Sequence, residues 1–184
     1  VPASQETQSE EYLKLHPAGK VPALDDDGFP LFESNAIMKY LCRKYQSDYY
    51  PEELTAQAKV DQWLDFIATH LANGYAKVLF NKVLAGLFGA PVDEQSLKDG
   101  YAFSERFLGV VNRQLENSRF IASDKMTIAD FCLLSTIDPS EVLGIDITEY
   151  PYVHHWRDQL LDKDFYTAVH RSYSETLQKI QDSM

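Results

Sequence analysis

Two four-residue apolar runs, VPAL at 21–24 and FPLF at 29–32, flank the acidic tetrapeptide DDDG. A short apolar run on each side of Asp-Asp-Gly is hairpin chemistry, because Asp and Gly accept the positive φ that a tight strand-reversing turn demands. A calcium loop would need further regularly spaced carboxylates, which do not follow, so the segment reads as a turn. Immediately afterwards the apolar period lengthens. From Ser34 the spacing is helical, with Ile37, Tyr40, Leu41 and Tyr45 on one face and Asn35, Lys39 and Arg43 on the others. One hairpin between helical segments, followed by helix to the end, leaves few architectures open.

Ahead of the hairpin, ETQSEEYLKL at 6–15 reads as one short helix stopped before Pro17. QSDYYP at 46–51 breaks the second helix and is placed as a linker. Val60, Trp63, Leu64, Ile67, Leu71, Tyr75, Val78 and Leu79 then follow i, i+3, i+4 spacing. They predict a long amphipathic helix from about Thr55 towards Phe80, bending near Gly86. Residues 94–117 form its expected partner, with Leu97, Tyr101, Leu108, Val111 and Leu115 inward. MTIADFCLLSTI at 126–137 is apolar nearly all round, as a helix buried in a bundle must be. Thr127 and Asp130 have capping-box spacing, and Met126 can staple onto Phe131. Pro151 opens another helix, and residues 163–181 a last one. The expected division is residues 1–47 as a small mixed domain and 48–184 as an all-helical domain.

The net charge of −11 excludes a basic nucleic-acid or anionic-membrane surface, since a phosphate binder needs a basic stripe. No run reaches a membrane span and no signal peptide opens the chain, which predicts a cytosolic protein. Cys42 and Cys132 lack CxxC spacing and read as reduced packing residues. His154 and His155 are adjacent, so they point to different helix faces and do not form a metal pair. No metal is expected.

The Val21-Pro22 pair is an odd way to begin a strand, because proline has no N–H for a ladder. If that bond is cis, the kink leaves the Val21 backbone without a sheet neighbour, and an extended peptide ligand can pair with it. Glu33 followed by Ser34 at a helix start offers a carboxylate for an ammonium group and a helix N-terminus for a carboxylate. Lys20 can meet a second carboxylate. Taken singly, Ser34 is an ordinary N-cap and Lys20 a solvated surface lysine. Together the features describe a peptide with one ammonium and two carboxylates, the chemistry of glutathione.

PAGKVPALDDDGFPLFESNAI closely resembles the glutathione-binding half of the cytosolic glutathione transferases, and TIAD resembles their C-terminal-domain folding motif. YLCRKYQSDYYPEELTAQAKVDQWLDF is most similar to the theta-type and related classes. The resemblance implies a partial thioredoxin-like domain joined to an all-helical domain, a homodimer, a detoxification role and transfer of the glutathione thiolate to a hydrophobic electrophile. It assigns Val21, before the family's cis proline at Pro22, to the cysteinyl backbone of glutathione. Glu33 and Ser34 fall to the γ-glutamyl head and Lys20 to the glycine carboxylate. The contacts that related classes make before this motif fall near Thr7 and Gln8, which are uncharged here. The electrophile pocket is expected between the domains against the long helix, at Tyr75, Leu79 and Phe80.

The family opens with a strand, a helix and a second strand, carrying its catalytic serine, tyrosine or cysteine just after the first strand. That segment has no counterpart here and Val1 is the first residue, so a truncated N-terminus is expected and the catalytic residue is unknown. Two other readings stay open. The same motifs resemble the non-catalytic assembly module at the front of the gamma subunit of translation elongation factor 1. On the same fold, nothing in the sequence excludes a glutathione-dependent dehalogenase, peroxidase or isomerase.

Overall fold

A computed structural model describes residues 5–170 and 172–182. The predicted first helix is two elements: a 3-10 turn, Gln5–Gln8, and α1, Glu10–Leu15. Ser9 separates them because its hydroxyl accepts the Tyr12 N–H at 3.2 Å and so caps α1. Strand β1 (Ala23–Asp26) pairs antiparallel with β2 (Phe29–Phe32), with Ala23 opposite Phe32 and Asp26 opposite Phe29. The two residues between them, Asp27 at φ 53 and Gly28 at φ 86, both have positive φ, the signature of the tight turn that Asp-Gly favours. The Asp25 carboxylate accepts the Gly28 N–H at 2.8 Å and locks the turn.

Helix α2 (Ser34–Lys44) is tied back to the hairpin by Asp26, which accepts from the Tyr40 hydroxyl and the Lys44 ammonium, both at 2.5 Å. Ile37, Tyr40 and Leu41 are half-buried, and no residue of this helix is fully buried. Tyr45, expected on the same face, is instead exposed: the helix ends at Lys44, and the backbone turns away through Gln46 at φ 52. The QSDYYP segment is more ordered than a linker. Tyr50 is buried with the Arg43 guanidinium 4.8 Å from its ring centroid, and Arg43 donates to the Pro51 carbonyl at 3.2 Å.

The chain divides between Glu52 and Glu53 into two compact units, and among its described residues the second holds helices and no strand. Its first helical rod runs from α3 (Leu54–Phe66) through α4 (Ala72–Leu79) to α5 (Ala85–Phe88). π-turns at Ile67–Leu71 and Phe80–Leu84 join the three segments. The rod passes through Gly86, and Gly89 ends it in the left-handed conformation, φ 63. Helix α6 (Glu94–Glu116) packs on α4 across a seam of small residues. A Cβ on Gly100 would lie 2.9 Å from Val78 Cγ2, and one on Gly74 would lie 2.9 Å from the Ser104 nitrogen. Asn81 orients the start of α6, accepting the Asp93 N–H at 2.8 Å.

Helix α7 (Ile128–Ile137) is buried at the centre of this unit, with Leu64, Ile67, Leu71, Leu108, Trp156 and Leu160 among the core side chains. Helices α8 (Ser140–Leu143), α9 (Pro151–Leu161), α10 (Asp164–Thr167) and α11 (Tyr173–Asp182) complete it. The single last helix expected over 163–181 is therefore two, because Ser172 starts a new one, accepting the Glu175 N–H at 3.4 Å. Met126 lines a cavity with Phe120 and Leu160, and Phe131 lines another, where it meets Phe165 edge-on with ring centroids 4.9 Å apart.

Candidate functional site

Ala23 and Phe32 form the last rung of the hairpin, and just beyond it Val21-Pro22 precedes one strand while Glu33-Ser34 follows the other. Residues eleven to thirteen apart in sequence thus reach one open end, opposite the Asp-Gly turn. The Val21-Pro22 bond is cis, Val21 is 74% exposed, and its backbone makes no hydrogen bond to another described residue. Backbone N–H and C=O groups left unpaired at such a position can pair with another chain.

Glu33, not Ser34, is the N-cap of α2, and Ser34 is the first helical residue. Glu33 stands at φ 71 and ψ 116, a conformation that a residue with a Cβ adopts only when its surroundings impose it. Its carbonyl accepts the Ile37 N–H at 2.9 Å, the first intrahelical bond, so the helix presents its leading N–H groups and positive dipole end where the second strand leaves the hairpin. The side chains of Glu33, Ser34 and Lys20 are exposed and make no hydrogen bond to another described residue. One surface therefore offers a carboxylate, an ammonium, a hydroxyl at a helix N-terminus and an unpaired peptide.

The residues that hold this surface gave no signal in the sequence. Tyr12 of α1 donates to the Lys20 carbonyl at 2.7 Å, and the Gln8 amide donates to the Gly19 carbonyl at 3.3 Å. Gly19 is needed there: φ is 59, and a Cβ would fall 2.3 Å from Gln8 Nε2 and 2.7 Å from the Thr7 carbonyl oxygen. His16 is buried with its ring centroid 4.8 Å from that of Phe32, and its Nδ1 accepts the Ala18 N–H at 3.2 Å. On the other flank, hydrogen bonds from Lys44 and then Tyr40 hold the Asp26 carboxyl below its ordinary range.

In the second unit, Tyr75 is 4% exposed and shares a 2.9 Å hydrogen bond with the Ser140 hydroxyl. Burial raises the Tyr75 hydroxyl well above its ordinary range. It is a core residue, not the wall of an open pocket. Leu79 is half-buried and Phe80 is 44% exposed, so only these two of the three expected pocket residues present apolar surface. Thr127 caps α7 while Asp130 Oδ2 accepts the Thr127 N–H at 2.9 Å. Asp130 Oδ1 further accepts the Ile121 N–H at 2.9 Å and the Trp156 indole N–H at 3.0 Å. Among the described residues, no group of three or more His, Cys, Asp or Glu side chains is placed to hold a metal ion, and no helix is long and apolar enough to cross a membrane. Cys42 and Cys132 are free thiols.

A hairpin–helix unit followed by a helical unit with a buried, capped central helix defines the class, a small mixed domain joined to a helical one. Residues 2–43 match the glutathione S-transferase N-terminal domain and residues 79–164 the glutathione S-transferase C-terminal domain. Glutathione S-transferase F10 of Arabidopsis thaliana is 31% identical over 176 residues, spanning 92% of this chain and 81% of that protein. Human glutathione-S-transferase T1-1 in its apo form superposes with a TM-score of 0.81 at 30% identity, over 96% of this chain and 76% of the other. Glutathione S-transferase-I, bound with lactoylglutathione, gives a TM-score of 0.79 at 26% identity, over 100% and 86%. The chain belongs to the cytosolic glutathione S-transferase family. Its first unit has the thioredoxin-like fold of the family's N-terminal domain, with a small sheet, and its second the helical C-terminal fold.

Proposed function

We propose that the open end of the hairpin binds glutathione and that the chain transfers its thiolate to a hydrophobic electrophile. In this reading Val21 pairs with the cysteinyl backbone, with Pro22 turning the chain behind it. Glu33 takes the γ-glutamyl ammonium, Ser34 and the α2 N-terminus take the γ-glutamyl carboxylate, and Lys20 meets the glycine carboxylate. The thiolate sulfur forms a bond to an electrophilic carbon while the leaving group departs with its electron pair. A free thiol has a pKa of about 8.5, so the reaction at neutral pH needs a donor that stabilises the thiolate. That catalytic residue is not assigned.

The proposal extends to the first unit as the glutathione-binding domain, ending at Glu52 rather than at the expected residue 47, the second as the helical domain, and a cytoplasmic homodimer acting in detoxification. Leu79 and Phe80 supply apolar surface for the electrophile. The observation that carries the reading is the register, which brings Val21, Glu33 and Ser34 to one end of the hairpin. Charge-assisted hydrogen bonds contribute about 1.5–3 kcal/mol each, so Glu33→Ala should weaken glutathione binding by about ten- to a hundredfold in titration calorimetry. Equal affinity in the mutant would remove Glu33 from the site. Conjugation of an activated aryl chloride, followed by absorbance, tests turnover separately from binding.

A further inference from the structure

The second unit holds a cavity of about 430 Å³ bounded by α7, α10 and the residues leading into α11. Its volume falls within the range of small-molecule sites, roughly 300–1,000 Å³. One end is an aromatic box, in which Phe131 and Phe165 meet edge-on with centroids 4.9 Å apart, closed by Leu134 and Tyr173. Val169, 74% exposed, stands at the rim. Such wetted apolar surface favours an occupant that removes it from water.

The other end is centred on Asp138, whose side chain is largely buried. Its Oδ1 accepts the Tyr166 hydroxyl at 2.8 Å and an Arg157 N–H at 3.4 Å, and its Oδ2 lies 3.1 Å from His170 Nδ1. The Tyr166 and His170 rings stack at 4.4 Å, which fixes both donors. Burial, then Asp138, raises the Tyr166 hydroxyl far above its ordinary range, so it remains a donor. Each carboxylate oxygen has room for about two hydrogen bonds, and Oδ2 receives one from the described residues.

The geometry points to this cavity as a binding site for an uncharged phenol of one or two rings, the rings in the aromatic box and the hydroxyl donating to Asp138 Oδ2. Charge selects the class. Arg157 already neutralises Asp138, so a cation would compete with it, and an anion would face the carboxylate across an apolar space. A neutral aromatic donor meets neither cost. The site lies wholly within the second unit and does not depend on the glutathione reading.

The test is titration of the full chain with β-naphthol, followed by its fluorescence, beside β-methoxynaphthalene and the naphthoate anion. Saturable binding of one naphthol per chain is expected, with the methoxy compound and the anion at least about tenfold weaker, the loss of one hydrogen bond to a charged group. Val169→Trp, at the exposed rim, should weaken naphthol about tenfold or more with an unchanged thermal melt, and Asp138→Asn should narrow the gap between naphthol and its methyl ether. Should Asp138→Asn fail to fold, the comparison of naphthol with its ether on the parent chain answers the same question. Equal affinity for naphthol and its ether, unaltered binding to Val169→Trp, or no saturation would each overturn the assignment.

Discussion

Removal of the Asp130 carboxylate should destabilise the protein far beyond the loss of a helix cap. The side chain is fully buried, and three buried N–H donors converge on it, from Thr127, Ile121 and the Trp156 indole. In Asp130→Ala all three remain in a dry interior with no acceptor, at about 1–3 kcal/mol each. Part of that is offset because the variant no longer buries a carboxylate, leaving a net cost of about 3–5 kcal/mol. A cap alone is worth about 0.5–2 kcal/mol, so the two accounts are separable. Asp130→Asn keeps an acceptor for Ile121 and Trp156 but turns an amide N–H towards that of Thr127, which should cost about 1–3 kcal/mol. Urea melts followed by circular dichroism, with Trp156 fluorescence as a local reporter, measure both. An Asp130→Ala variant within about 1 kcal/mol of the parent would refute the reasoning, because three unpaired buried donors cannot be that cheap. The pH dependence adds a sign. Burial raises the folded-state pKa of Asp130 above its ordinary 3.8, so the folded chain holds this proton more tightly than the unfolded chain. The group's contribution to stability is therefore largest below 3.8 and declines as pH rises through the folded value, and the stability of the parent relative to Asp130→Asn should fall in that direction.

Four further outcomes are expected. Gly100→Ala sets a Cβ 2.9 Å from Val78 Cγ2 and should cost about 1–3 kcal/mol in a thermal melt by spreading α4 from α6. Gly86→Ala meets nothing within 4 Å and should stabilise by up to about 1 kcal/mol; equal effects at the two sites would remove the close-packed seam. Lys44→Met should raise the Asp26 pKa in a carboxyl NMR titration, since the Lys44 hydrogen bond is the largest cause lowering it. The Asp26 contribution is present above the ordinary Asp value and lost as pH falls through the lowered one, and an unshifted Asp26 in the variant would show that the pair does not persist in solution. Glu33→Gly releases a backbone held at φ 71 and should leave the melt unchanged or raise it while glutathione binding weakens; a lower melting temperature would mean that the Glu33 conformation costs nothing.

Period and turn chemistry are local, and they carried the architecture: a hairpin around Asp-Gly, helices from Ser34 and Pro151, and an apolar helix after Thr127. These features depend on residues within one turn or one reversal of the chain, so their neighbours in sequence are their partners in space. Tyr45 and Tyr75 mark the limit, because both fit an apolar helical face by spacing, yet one is exposed and the other buried against Ser140. Spacing names the apolar face but not what covers it. The site shows the same division. Val21, Glu33 and Ser34 could be read as chemistry at a given separation, whereas their shared position comes from strand register, and the hold on Lys20 and Gly19 comes from Tyr12 and Gln8 of an earlier helix and turn. Asp130 gathers Ile121 and Trp156, nine and twenty-six residues away, and Asp138 gathers Arg157, Tyr166 and His170 from separate segments. A buried carboxylate must collect donors from wherever the packed core delivers them, and only the tertiary structure decides which those are.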